Sequence, residues 1–81
     1  MKIIAIVDNR GLTFVGDADT SDPRELTEIR DARCIIWWGT DEHLAQIVDG
    51  PRPDTKLGAS KTIRVNPASV VAVYECGDGW E

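Results

Sequence analysis

Eighty-one residues suffice for one domain, 1–81, and a chain this short buries only roughly 60 to 65% of the surface its unfolded form exposes, so its margin of stability is thin. Hydrophobic residues at 42% and charged residues at 28% exclude a disordered tail. Fourteen Asp and Glu against nine Lys and Arg leave a net charge of −5, which disfavours long-range attraction to nucleic acid phosphates or an anionic membrane.

In chain order, Lys2 to Val7 is rich in β-branched residues and stops at Asp8-Asn9-Arg10-Gly11, whose residue types suit a tight turn with positive φ. The spacing predicts a hairpin, with Leu12 to Val15 returning antiparallel and a polar loop from Gly16 to Pro23. Residues 22 to 31 read two ways. Asp22-Pro23-Arg24-Glu25 carries an N-cap, a proline at the first helical position and a glutamate three residues on, which is a helix start. Leu26 and Ile29 are the only large apolar residues there, and a strand over Glu25–Glu28 with a turn at Arg30-Asp31-Ala32 leads more naturally into the β-prone run Cys34 to Trp38.

Gly39-Thr40 breaks that strand, and Thr40 can cap a helix over residues 41–49, with Asp41 and Glu42 in its first turn, Leu44, Ile47 and Val48 on one face, and Gly50-Pro51 as its stop. Pro51 to Lys61 reads as a surface loop carrying most of a short basic segment. Thr62 to Val65 and Val70 to Cys76 are the last strands, separated by an Asn66-Pro67 turn. The expected fold is α+β: a small antiparallel sheet of four or five strands with one short amphipathic helix.

Chemistry-bearing residues are few. His43 is the only histidine and falls in the expected first helical turn beside acids; Cys34 and Cys76 are far apart and outside any Cys-x-x-Cys pair, so no metal site, disulfide framework or catalytic group is expected. Lys61-Thr62 matches the end of a phosphate-binding loop, yet Ser60 and Thr55 stand where that loop needs glycines. No cofactor is expected, and the chain reads as non-enzymatic.

Two features point to partners. Trp37 and Trp38 are adjacent, so on a strand they point to opposite faces, and Trp38 is a candidate aromatic anchor; Trp80, after Gly77-Asp78-Gly79, either folds back onto the core or awaits a partner. Asp17, Asp19, Asp22, Glu25, Glu28 and Asp31 fall within fifteen positions that hold only Arg24 and Arg30 as bases. That run is either a solvated face or a mimic of nucleic acid, because same-face strand residues recur every ~6.6 to 6.8 Å, about two phosphate steps.

From Ala32-Arg33 through Ile36-Trp37-Trp38-Gly39-Thr40, followed by Leu44, Ile47, Gly50 and Pro51, the chain resembles a family of small phage and prophage proteins that share an Ala-Arg, an aromatic strand, a small-residue break and a short helix ending in glycine. The match covers about residues 25 to 58. It implies a β-rich α+β fold and a phage setting, and it carries over no functional residue. In size and acidity the chain is also similar to anti-CRISPR proteins, small inhibitors that occupy the DNA-binding surface of a Cascade complex, and among them to the type I-C inhibitors.

The resulting expectation is an inhibitor, acting in the cytoplasm of a bacterial host, that docks Asp17, Asp19, Asp22, Glu25, Glu28, Asp31 and Trp38 on the basic nucleic-acid channel of a host defence complex. It is expected as a monomer or small homo-oligomer, without membrane or direct nucleic acid contact, since no stretch approaches the ~20 apolar residues of a membrane span. The alternatives are an accessory phage module that self-associates through a sheet edge and Trp38 or Trp80, and a nucleotide-binding sponge in which Lys56, Lys61 and Arg64 hold phosphates beside an exposed Trp.

Overall fold

The structure, a computed structural model, describes residues 1–8, 12–37, 48, 50, 51 and 55–80. They form six antiparallel strands: β1 (Lys2–Val7), β2 (Leu12–Asp17), β3 (Glu28–Trp37), β4 (Lys56–Leu57), β5 (Lys61–Arg64) and β6 (Val70–Glu75). The spatial order is β4-β3-β2-β1-β6, with β5 also on β3.

The β-branched run at the N-terminus becomes the central strand. β1 pairs with β2 from Lys2↔Asp17 to Val7↔Leu12 and with β6 from Ile3↔Glu75 to Val7↔Val70. Both its faces are covered: Ile3 and Ala5 join the cluster with Ala18, Leu26, Ile29 and Ala32, whereas Ile4 joins Val15, Ile35 and Trp80 on the opposite side. A strand buried on both faces reads as a continuous apolar run, as this one does.

β3 carries the main irregularity. Between Val15↔Arg33 and Asp17↔Arg30 it has one residue more than β2, and between Ile29↔Ile63 and Ala32↔Lys61 one more than β5. The extra residue is a β-bulge at Asp31, whose φ of 49° is left-handed; aspartate tolerates that region better than most side chains. The bulge shifts the alternation, so Ile29 and Ala32, three apart, share the inner cluster while Ile35 lies on the other face. Opposite it sits Gly16, where an added Cβ would come within 2.6 Å of Ile29 Cγ2 and 2.8 Å of the Arg30 carbonyl oxygen.

β4 and β5 follow each other along the same outer edge of β3, with Ile35↔Leu57 followed by Ala32↔Lys61 and Glu28↔Arg64. The sheet curls. β5 and β6 occupy opposite ends of the strand order, a flat separation of ~19 Å over four inter-strand steps, yet residues 65–69 alone join them through a 3-10 turn at Pro67–Ser69. Val65 N–H donates to the Thr27 carbonyl at 2.9 Å and Asp8 N–H to the Ser69 carbonyl at 2.7 Å, fastening both ends of this connection. Ile63, Val65, Val70 and Val73 thereby pack on the same cluster as Ile3 and Ile29.

The α+β expectation is overturned. Among the described residues there are six strands and no α-helix, only 3-10 turns at Pro67–Ser69 and Asp78–Trp80; the chain is mostly β. The helix expected over 41–49 lies outside the described residues except for Val48, which is in a turn. Among the described residues, the outer sheet face is covered by the C-terminal turn, whose Trp80 is 8% exposed against Ile4, Val15 and Ile35. The turn expected at residues 30 to 32 is the bulge, and the expected loop from 51 to 61 contains β4. The helix-start signals at Asp22 yield one turn, in which Glu25 and Leu26 N–H donate to the Asp22 carbonyl at 3.0 and 3.1 Å.

Two substitutions test the bulge. Gly16→Ala is expected to cost ~1 to 3 kcal/mol through overpacking against backbone, read as a lower urea midpoint at unchanged slope. Asp31→Gly is expected to fold at least as stably as the parent, whereas Asp31→Val loses ~1 to 2 kcal/mol because a β-branched residue is held at positive φ; equal midpoints for the two would refute a left-handed residue there.

Candidate functional site

The six acids singled out in the sequence do not form a ribbon with phosphate spacing. Asp17 ends β2, Asp19, Asp22 and Glu25 lie in the connection to β3, and Glu28 and Asp31 lie within β3. Strand pairing sets Lys2, Asp17 and Arg30 side by side across β1, β2 and β3, and Lys2 Nζ stands 3.3 Å from Asp17 Oδ2. Arg30 then gathers two more acids, with Asp19 Oδ1 at 2.9 Å and Glu28 Oε1 at 3.4 Å. The Arg30 guanidinium thus holds Asp19 and Glu28, while Asp17, its neighbour in strand register, pairs with Lys2, and Arg64 stands opposite Glu28 on β5.

Asp22 stands apart in a local clamp. Its Oδ1 accepts from the Arg24 backbone N–H at 2.9 Å and from Arg24 Nε at 3.2 Å, and its Oδ2 accepts from Nη2 at 3.1 Å. The Arg24 side chain, then its backbone N–H, hold the Asp22 carboxyl below the ordinary carboxylate value, and Asp22 raises the Arg24 guanidinium in return. Asp19 first, then Glu28, raise Arg30. These pairs are largely exposed, so solvent and salt screen them and they add little to stability. Asp31 accepts a long hydrogen bond from Ser60 Oγ at 3.4 Å, and Glu25 is exposed with no ion pair among the described residues.

Six acids against Lys2, Arg24 and Arg30 leave three unmatched negative charges here. Arg33, Lys56, Lys61 and Arg64 are exposed along β3, β4 and β5 with no ion pair among the described residues, and they border the acids: Arg64 stands opposite Glu28, and Arg33 and Asp31 line one cavity.

Of the aromatic candidates, Trp80 is buried and is no docking anchor in this state. Trp38 and His43 lie outside the described residues, as does the side chain of Trp37. Both cysteines are half-buried thiols.

The sequence reading missed an apolar groove. Where the end of β5 and the 3-10 turn face the β1–β2 hairpin, Val7, Leu12, Phe14, Ile63, Val65 and Val71 line a depression of ≈ 540 Å³ together with the polar residues Asp8, Arg64, Asn66 and Ser69. Leu12 is 46% and Val71 59% exposed. A smaller cavity of ≈ 390 Å³ on the outer face lies between Lys2, Asp31, Arg33 and Ser60 and is floored by Val15 and Trp80. Neither was legible in linear form, because each joins segments that meet only when the sheet curls.

The Asp22 clamp gives a titration test. Because folding lowers this pKa, the pair favours the folded state at pH above the ordinary carboxylate range and ceases to do so as the pH falls through the lowered value. In a carboxyl NMR titration Asp22 is expected to protonate below its ordinary value of 3.8 and to return towards it in Arg24→Ala; an unchanged Asp22 curve in the variant would exclude the clamp. Compared with known protein families, curated proteins and solved structures, the chain finds no match.

Proposed function

We propose that this chain is a non-enzymatic inhibitor that docks its acidic end on the basic nucleic-acid-binding surface of a host defence complex, of the type I CRISPR class, and excludes DNA by occupancy. The observation that carries the reading is the clustering of Asp17, Asp19 and Glu28 around Arg30, with Asp22 and Glu25 in the adjoining connection. Docking is by net charge and local ion-pair exchange: a basic partner competes with Lys2 and Arg30 for carboxylates that are already exposed and weakly held. Asp19, whose side chain is 88% exposed, is the foremost contact. A strand-spaced replica of a phosphate backbone plays no part in this version.

The test is binding of the purified protein to a purified type I effector complex, with displacement of target DNA as the readout, at low and high salt. Asp19→Asn, Glu25→Gln and Glu28→Gln combined should weaken binding ~3- to 150-fold, since each exposed charge contact is worth ~0.2 to 1 kcal/mol, and high salt should weaken the parent likewise. Lys56→Gln and Lys61→Gln should leave it unchanged or strengthen it. Binding insensitive to both salt and the acid variant, or no binding, would refute the proposal.

A further inference from the structure

We infer that the chain pairs with a second copy of itself, antiparallel, along the free edge of β6. This strand is the last in the sheet order, and among the described residues none pairs with its outer edge. An unpaired row of backbone N–H and C=O groups is a template for another strand, and proteins that avoid such pairing blunt the edge with charge, brevity or breaks. The opposite edge is blunted in all three ways: β4 and β5 span two and four residues, are separated at Gly58–Ser60, and carry Lys56, Lys61 and Arg64. β6 is Val70-Val71-Ala72-Val73-Tyr74-Glu75, six residues with one charge.

Charge and exposure select the occupant. A register shift against Ile6 and Val7 makes Val71 the extra residue of β6, and its side chain is 59% exposed where the apolar groove meets the start of the strand. Arg64 lines the same groove, as does Asp8, and Arg64 makes no ion pair among the described residues. Glu75 is exposed at the other end of β6, where it accepts a hydrogen bond from Ser21 Oγ at 2.9 Å. A two-fold antiparallel pairing carries the Glu75 end of each copy to the groove end of its partner, so that carboxylate and guanidinium approach twice and Tyr74 comes towards Val71. Parallel pairing would set Glu75 beside Glu75. The strand and the groove at its start thus bear each other's complement, and an isologous interface of this kind closes at two copies.

The inference is independent of the acidic end, and the experiment separates the two. Sedimentation equilibrium over a concentration series is expected to show reversible association to twice the 8.9 kDa chain mass, with no larger species. Val71→Lys, at an exposed position, should weaken dimerisation ~10-fold or more, as should Glu75→Arg; Glu75→Arg combined with Arg64→Glu should recover most of the loss. Circular dichroism melts of each variant report whether the monomer folds. A parent that stays monomeric up to millimolar concentration, or a dimer indifferent to both Val71→Lys and Glu75→Arg, would overturn the inference.

Discussion

At Asp31 the backbone of β3 enters the left-handed region and the strand gains one residue over both its neighbours. Three consequences converge there. Ile29 and Ala32 both reach the inner cluster, Ile35 goes to the outer one, and the local twist lets β5 swing round far enough for residues 65–69 to join it to β6. The facing residue must be glycine, because a Cβ at position 16 would meet Ile29 and the Arg30 carbonyl. The curl is what allows so short a chain to cover both faces of its central strand, with side chains from β5 and β6 on one side and Trp80 on the other.

The same irregularity organises the charges. Arg30, the residue before the bulge, lies beside Asp17 and reaches Asp19 and Glu28; Ser60 meets Asp31 from the neighbouring edge. Acids adjacent in sequence are partly neutralised by Lys2, Arg24 and Arg30 yet keep a negative excess, and exposed bases on β3 and β5 border them. Exposed pairs of this kind are individually weak, so no single one of them dominates the energetics of this surface.

Much of the sheet was legible in the sequence. β1, the hairpin and β6 follow from β-branched runs bounded by turn residues, and the Asn66-Pro67 signal marks a real turn, in which Asn66 Oδ1 accepts from Ala68 N–H at 3.0 Å. The errors share a cause. Asp22-Pro23-Arg24-Glu25 has the local chemistry of a helix start and makes its one turn, but the inner cluster takes Leu26 and Ile29 and the chain straightens into β3. Arg30-Asp31-Ala32 looks like a turn because a bulge uses the same residue types. Lys56–Leu57 looks like loop because only β3 beside it makes it a strand. The acidic segment was visible as a charge run, but the guanidinium at its centre depended on strand register, and the groove beside Leu12 and Val71 on closure of the sheet.

The bulge is tested most directly by the methyl contacts of Ile29 and Ala32 in a nuclear Overhauser spectrum. The account predicts that both residues give contacts within one set of partners, Ile3, Ala5, Ala18 and Leu26, with none from either to the Trp80 ring. A regular strand would split them, sending one to the inner set and the other to Ile4, Val15 and Trp80, and that result would contradict the shift at Asp31 and the curl built on it.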